Sequence, residues 1–352
     1  GFLEPIMISV ERLETLAGVD RVEWDRLAAT DVFASYGWLR TVEETLLTTY
    51  RPVYFVARGP AGFVAAAPCY VQDVAPAVAG IDRIVFGRFA KAARTLRIHL
   101  APALICGPRT GLSTHLLVDP GLPPEERQRL TELLCEAMEG FARANGATMC
   151  FRNVVDRATS LPELLRRRGY LPAVEMPATV MDVPWTSFAA YVRDLKQHHR
   201  ATANNISRER NRARKNGIVF RKLVDAVDYA PRLHALLDSH NRRLNGTPFP
   251  FATSFLLRLK HHLSDQVAFY VAFEGEEPIA VVLGIRAGES ISFPMVGVDT
   301  TRREAFVYFN NSYNEPIEDA IATGIRKIYC GKLVYDVKIR RGFRLLPMSI
   351  YI

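Results

Sequence analysis

The chain states nearly the same pattern twice, and this repetition constrains its fold more than any other feature. Val53–Arg58 and Phe63–Val71 are apolar runs rich in β-branched and aromatic residues, separated by Gly59-Pro60-Ala61-Gly62, which reads as strand, turn, strand. Val267–Glu274 and Ile279–Ile285, separated by Gly275-Glu276-Glu277-Pro278, repeat that hairpin. Behind each hairpin comes a further strand (Ala103–Gly107; Ser290–Val298), a long amphipathic helix (Glu125–Asn145; Phe306–Thr323) and a short strand (Thr148–Asn153; Lys327–Gly331). Each half closes on similar words, Leu165-Arg166-Arg167-Arg168-Gly169-Tyr170 and Ile339-Arg340-Arg341-Gly342-Phe343, and an apolar strand follows. Element order, turn chemistry and local sequence agree, so an internal duplication is expected. The fold class is α/β, with one module over residues 1–183 and another over 184–352, each a mixed central sheet flanked by helices. A length of 352 residues suits two domains better than one.

Charge is unevenly distributed. Arg193–Lys222 holds ten Lys/Arg against two Asp/Glu, a net +8 that equals the formal net charge of the whole chain. The segment Trp185–Asn216 carries Phe188, Val192, Leu195 and Ile206 at helical spacing and ends at Asn216-Gly217, so it reads as one long helix. Arg208, Arg212 and Lys215 share one face of it, and Arg210 and Arg214 the next. Two readings stay open: a solvated helix with counterions, or a track for a phosphate backbone. Arg200 lies on the same stretch, and Arg242 and Arg243 extend the track.

Several classes of chemistry lose support. There is no Gly-x-x-x-x-Gly-Lys-Ser/Thr loop, no Gly-x-Gly-x-x-Gly after a strand and no Gly-x-Ser-x-Gly elbow. Five scattered cysteines without a Cys-x-x-Cys pair argue against disulfides or structural zinc, and adjacent histidines (His198–His199, His261–His262) point about 100° apart on a helix, so no metal site is expected. No apolar run reaches the roughly 18–20 residues of a membrane span, and no leader pattern opens the sequence, so a cytoplasmic location is expected.

With this order of elements, each half resembles the GNAT acyltransferase fold, and two such modules in tandem resemble the Fem aminoacyl-transferases. The likeness is sharpest in the basic stretch Leu195–Asn216 and in Tyr308–Phe343, with Asn314-Glu315-Pro316-Ile317-Glu318-Asp319-Ala320-Ile321, Lys327–Gly331 and Tyr335-Asp336-Val337-Lys338-Ile339-Arg340-Arg341-Gly342-Phe343. The resemblance implies that Lys338, beside the last Gly-aromatic turn, neutralises the oxyanion of acyl transfer. Its plainer reading is a surface lysine in a charged turn.

On the same resemblance the second module carries the chemistry and the first is a scaffold. The function implied is amide formation by moving an aminoacyl or acyl group from tRNA to a small-molecule or peptide amine. The aminoacyl-tRNA is a co-substrate, and no bound cofactor is required. The rivals are an acyl-CoA- or acyl-carrier-dependent N-acyltransferase and a non-catalytic RNA-binding or scaffold protein of this fold. The loop Asp299–Phe306 lacks the glycines that grip the pyrophosphate of coenzyme A in GNAT enzymes, which favours tRNA over that donor.

The remaining candidates are assigned alongside Lys338. Asp336, Tyr335 and Tyr308 stand as further catalytic residues, and Tyr313 lies five residues after Tyr308. A tyrosine can donate a proton to a leaving group or simply fill a core edge. Arg200, Arg208, Arg212, Arg214, Lys215, Arg242, Arg302, Arg303 and Arg341 stand as contacts to donor phosphates. The segment Phe249–Phe255 either lines a pocket or caps the core.

Overall fold

The computed structural model describes residues 8–28, 31–48, 50–60, 62–73, 80–107, 109–112, 116–155, 160–300 and 306–352. They divide into two compact units. Unit 1 draws on Gly1–Glu43, Thr48–Met176 and Pro347–Ile352, and unit 2 on Glu44–Leu47 and Pro177–Leu346.

In unit 1, β1 (Val10–Leu13), β2 (Arg51–Gly59), β3 (Gly62–Gln72) and β4 (Ala103–Cys106) pair antiparallel in sequence order, and β5 (Leu117–Val118) adds to β3. β6 (Thr148–Val155) lies parallel to β4. Parallel neighbours need a crossover, here the helix Pro124–Ala144. Its stripe Leu130, Leu134, Cys135, Met138 and Ala142 is buried against Phe55, Ala65, Ala67 and Cys69 of the hairpin. Spacings of three and four residues put that stripe on one helix face.

Unit 2 repeats the plan. β7 (Pro172–Asp182) precedes β8 (Ile218–Leu223), β9 (Val267–Glu274), β10 (Glu277–Ala287) and β11 (Ser290–Val298), and β8 to β11 again pair antiparallel in order. β12 (Lys327–Cys330) lies parallel to β11. The β9–β10 turn is only Gly275-Glu276, with Glu274 opposite Glu277, and Gly275 sits at φ 60°. Two-residue hairpins require such positive φ, which glycine adopts without steric cost. Nearly every residue of β9 and β10 is buried, so both faces are covered and the strands read as continuous apolar runs rather than alternating ones.

Each module's closing strand joins the other unit. Residues 177–182 of β7, which follow the first closing turn, pair antiparallel with β12 from Asp182↔Lys327 to Thr179↔Cys330. The end of β13 (Arg344–Tyr351), which follows the second closing turn, pairs with β6 through Met348↔Val155, Ser349↔Val154 and Tyr351↔Phe151.

Two helices differ from expectation. The stretch expected to be one helix is two, Phe188–His198 and Arg200–Lys215, broken at His199 (φ −138°, ψ 58°). Tyr191 and Leu195 before the break, and Ala203 and Ile206 after it, pack in the same core cluster. The helix beginning near Phe306 runs as Val307–Phe309, a π turn Asn310–Asn314, and Glu315–Ala322.

Candidate active site

Unit 2 holds a cavity of about 510 Å³ where β11 parts from β12. The parallel pairing covers only Ser290↔Lys327 to Phe293↔Cys330. β12 then ends, while β11 continues to Val298 along β10. The register of β10 against β11 jumps between Leu283↔Met295 and Ile285↔Ser292, so Phe293 and Pro294 together oppose Gly284. A bulge of this kind bends its strand and increases its twist. The crevice past the carboxyl ends of parallel strands is where α/β sheets receive ligands.

The opposite wall comes from the helix Ala230–Asn245. A Cβ on Gly297 would lie 2.6 Å from the backbone of Leu236 and Leu237, so only glycine lets this helix rest directly on β11. One to two turns later the same helix brings His240, Arg243 and Leu244 to the cavity. The Arg243 guanidinium donates to His240 Nδ1 at 3.2 Å, leaving the other ring nitrogen as the neutral tautomer's donor. Burial, then the Arg243 charge, pushes His240 down to about 4. It is therefore neutral at pH 7.

Lys338 lies on the short helix Tyr335–Ile339, is 7% exposed and lines the cavity. Its Nζ donates to the carbonyl oxygen of Gly331 and, at 3.5 Å, to that of Lys332. Desolvation lowers its pKa from that of a free lysine, with a smaller opposing influence of Cys330. The Cys330 thiol, also on the wall, is pushed up to about 12 by burial and stays protonated. It is no nucleophile at neutral pH.

Tyr308 and Tyr313 face each other across the π turn, their hydroxyl oxygens 3.3 Å apart. In an unbroken α-helix, residues five apart point about 140° away from each other. The wider π turn between them removes that offset. Burial raises both pKa values, so both phenols keep their protons.

Backbone strain gathers at the same place. Phe306, Leu333 and Val334 hold φ of 52°, 72° and 53°, and all three line the cavity. A β-branched or bulky residue at such angles costs about 1–3 kcal/mol, and strain of this kind clusters at functional sites.

The other sequence candidates distribute differently. Asp336 is exposed, the Tyr335 hydroxyl donates to the Pro177 carbonyl at 2.9 Å, and neither lines the cavity. Arg200, Arg208, Arg212, Arg214 and Lys215 are exposed on the basic helix Arg200–Lys215. The Arg208 guanidinium lies 5.8 Å from the ring of Phe306, which joins that helix to the cavity rim. Arg210 turns away to Glu315 and Glu318. Arg242 is exposed and pairs with Asp238 at 2.7 Å. Arg302 and Arg303 lie outside the described residues.

Arg341 is a correction. It is 2% exposed, bound to both oxygens of Glu209 at 2.9 and 3.0 Å and to Asn314 Oδ1 at 2.9 Å, so its charge is neutralised within the protein and no phosphate reaches it. Phe249, Phe251 and Phe255 are buried, with Phe251 and Phe255 stacked at 4.3 Å, and none lines the cavity: that segment belongs to the core.

Sequence reasoning missed His240, Glu209, Asn310 and Asn314. Glu209 had a signal, as the one acid between Arg200 and Lys215. Asn310 and Asn314 stand four apart on an apolar helix, which also marks a buried partner.

No curated protein matches the chain. The fold is shared with solved structures of low identity. FemX aligns at TM-score 0.61 and 11% identity, covering 97% of this chain and 96% of that one. The C-terminal domain of a putative lysylphosphatidylglycerol synthetase from Agrobacterium fabrum aligns at 0.55 and 10%, covering 94% and 91%. A tandem GNAT protein from the clavulanic acid biosynthesis pathway aligns at 0.50 and 11%, covering 98% of each. Among the described residues no helix is long and apolar enough to cross a membrane. The model of the FemAB-like family, described as peptidoglycan biosynthesis/recognition, matches residues 15–351, and with that match over nearly its whole length the chain belongs to this family.

Proposed function

We propose that the protein is an N-acyltransferase that moves an aminoacyl group from tRNA to an amine of a peptidoglycan precursor. The observation that carries this reading is Lys338, a buried ammonium at the wall of the cavity. An ammonium has three hydrogens to donate. The Gly331 and Lys332 carbonyls take two and hold the group in place, which leaves one for an incoming oxygen.

In the reaction the amine nitrogen attacks the acyl carbon, a carbon–nitrogen bond forms, and the carbonyl oxygen becomes an oxyanion. Collapse breaks the bond to the ester oxygen, which gains a proton while the nitrogen loses one. Lys338 stabilises the oxyanion, and one such fixed donor contributes about 3–4 kcal/mol to the barrier. Tyr308, protonated and on the wall, donates the proton that the leaving ester oxygen gains. Asp299 is the carboxylate on the wall that takes the amine's proton.

The exposed cations of Arg200–Lys215 support a donor with an extended phosphate backbone, since their charge covers several helix turns. Among the described residues no strand pairs with the β12 side of β11 past Phe293, which favours a second reading with acyl-coenzyme A as donor, because the amides of its arm would pair with that edge.

A transfer assay separates the two. Purified protein is supplied with a peptidoglycan precursor bearing a free amine and with labelled aminoacyl-tRNA or acyl-coenzyme A. Product from aminoacyl-tRNA that disappears after ribonuclease treatment is expected. Product from acyl-coenzyme A that survives ribonuclease selects the second donor. No product from either, with charged tRNA still bound, identifies a binding protein of the same fold.

A further inference from the structure

We infer that the cavity in unit 2 receives an apolar acyl moiety, either an aliphatic or aromatic aminoacyl side chain or a medium-length acyl chain, and that Leu244 helps to set how much of it fits. This rests on the transferase reading and goes beyond it to the class of group transferred.

The first observation is the composition of the walls. Val282 of β10, Phe293, Met295 and Val298 of β11, and Phe306 and Phe309 around the start of the π-containing helix are all apolar. Leu244 completes the wall from the helix Ala230–Asn245, and is 46% exposed. A large apolar side chain at a cavity mouth gains by covering an apolar ligand.

The second is the state of the polar groups among them. Tyr308 and Tyr313 are turned to each other. His240 is neutral and accepts from Arg243. Lys338 is held by two backbone carbonyls. Asp299, the wall's carboxylate, has the Arg232 guanidinium 4.0 Å away. Among the described wall residues these polar groups are engaged within the protein itself, so the surface left for a ligand is chiefly the apolar one.

The third is size. At about 510 Å³ the cavity lies within the range of about 300–1,000 Å³ typical of pockets that enclose drug-sized ligands. A glycyl or acetyl group would leave most of it unfilled.

Binding to unreactive probes tests this on the whole protein. One set is adenosine carrying an amide-linked glycyl, leucyl, phenylalanyl, lysyl or glutamyl group at the 3′ position. The other is acetyl, hexanoyl or decanoyl amide of cysteamine. Because a methylene in an apolar pocket is worth about tenfold or more in discrimination, leucyl or phenylalanyl is expected to bind at least tenfold tighter than glycyl, or hexanoyl at least tenfold tighter than acetyl, with lysyl and glutamyl weakest. The set that shows the gradient identifies the carrier class.

Leu244→Asp, at an exposed position that tolerates charge in the fold, is expected to reduce the preference for the larger apolar group over glycyl or acetyl severalfold. Equal affinity across each set, or preference for lysyl or glutamyl, overturns the inference. An apolar gradient that persists when no transfer is detected overturns the transferase reading instead. Transfer with a flat gradient does the reverse.

Discussion

Glu209 grips Arg341 through both carboxylate oxygens, at 2.9 and 3.0 Å, from a helix whose other charges face solvent or the surface acids beside it. The contact ties the basic helix to the residue three positions after Lys338. Asn314 of the π turn completes the link, accepting from Arg341 at 2.9 Å and donating to Glu209 at 3.1 Å, while the Asn310 side chain donates to the Glu209 carbonyl at 2.9 Å. Three elements that build the site are thus locked by one buried network.

Removing one partner of that network leaves a buried charge uncompensated. Arg341→Ala or Glu209→Ala is expected to lower the unfolding free energy by about 3–5 kcal/mol in urea titrations, whereas Glu209→Leu with Arg341→Met recovers most of the loss. A double variant as unstable as either single one would show that the network is more than a compensated pair.

Lys338 gives transfer a pH signature. Burial lowers its pKa below the usual lysine value, so the ammonium is lost, on raising the pH, earlier than for a surface lysine. The rate is expected to fall along this alkaline limb. Lys338→Ala is expected to slow transfer about 10²–10³-fold and to abolish the limb, with the far-UV spectrum unchanged. An unaltered rate would remove Lys338 from the chemistry.

His240 acts on stability in the acid range. Its folded pKa, about 4, lies below the unfolded value near 6.5, so between these values the unfolded chain binds the extra proton. Its contribution is complete above about pH 6.5 and declines as pH falls towards 4. Melting temperatures at pH 7 and pH 5 measure the difference, and His240→Gln is expected to make it smaller. An unchanged difference would mean that the ring is not desolvated.

Neutralising Arg208, Arg212 and Lys215 together to Gln is expected to weaken binding of charged tRNA and to reduce the slope of log affinity against log salt by about 2–3, since each phosphate contact contributes about 0.7–0.9. All three are exposed, so folding is retained. An unchanged slope would return the helix to a solvated surface.

Relieving strain should separate stability from rate. Val334→Gly at φ 53° is expected to stabilise the fold by about 1 kcal/mol and to slow transfer, because the loop that lines the cavity loses its fixed shape. A faster variant would show that the strain serves no purpose in transfer.

The paired hairpins, the long helix Pro124–Ala144 and the basic run were legible because their signals are local. Apolar periodicity marks Leu130, Leu134 and Met138 as one face, and charge counting finds the basic helix. Lys338 was legible only through the resemblance. Features that depend on distant partners left weaker marks. The destination of β7 and β13 is decided by which sheet edge is open, and neither strand's sequence names Lys327 or Val155 as its neighbour. The break at His199 has no proline or glycine to announce it, and the π turn answers Glu209, 101 residues from Asn310. Arg341 looked like its neighbour Arg340 until burial separated them.

The crossing of the closing strands also orders events during synthesis. Met348 pairs with Val155, about 190 residues earlier, so the first unit keeps an open sheet edge on β6 until β13 has left the ribosome. A nascent chain halted after residue 183 therefore lacks its own final strand while carrying one meant for a sheet not yet made. The two modules mature together, and a cell that separated them by proteolysis would leave two exposed edges rather than two proteins.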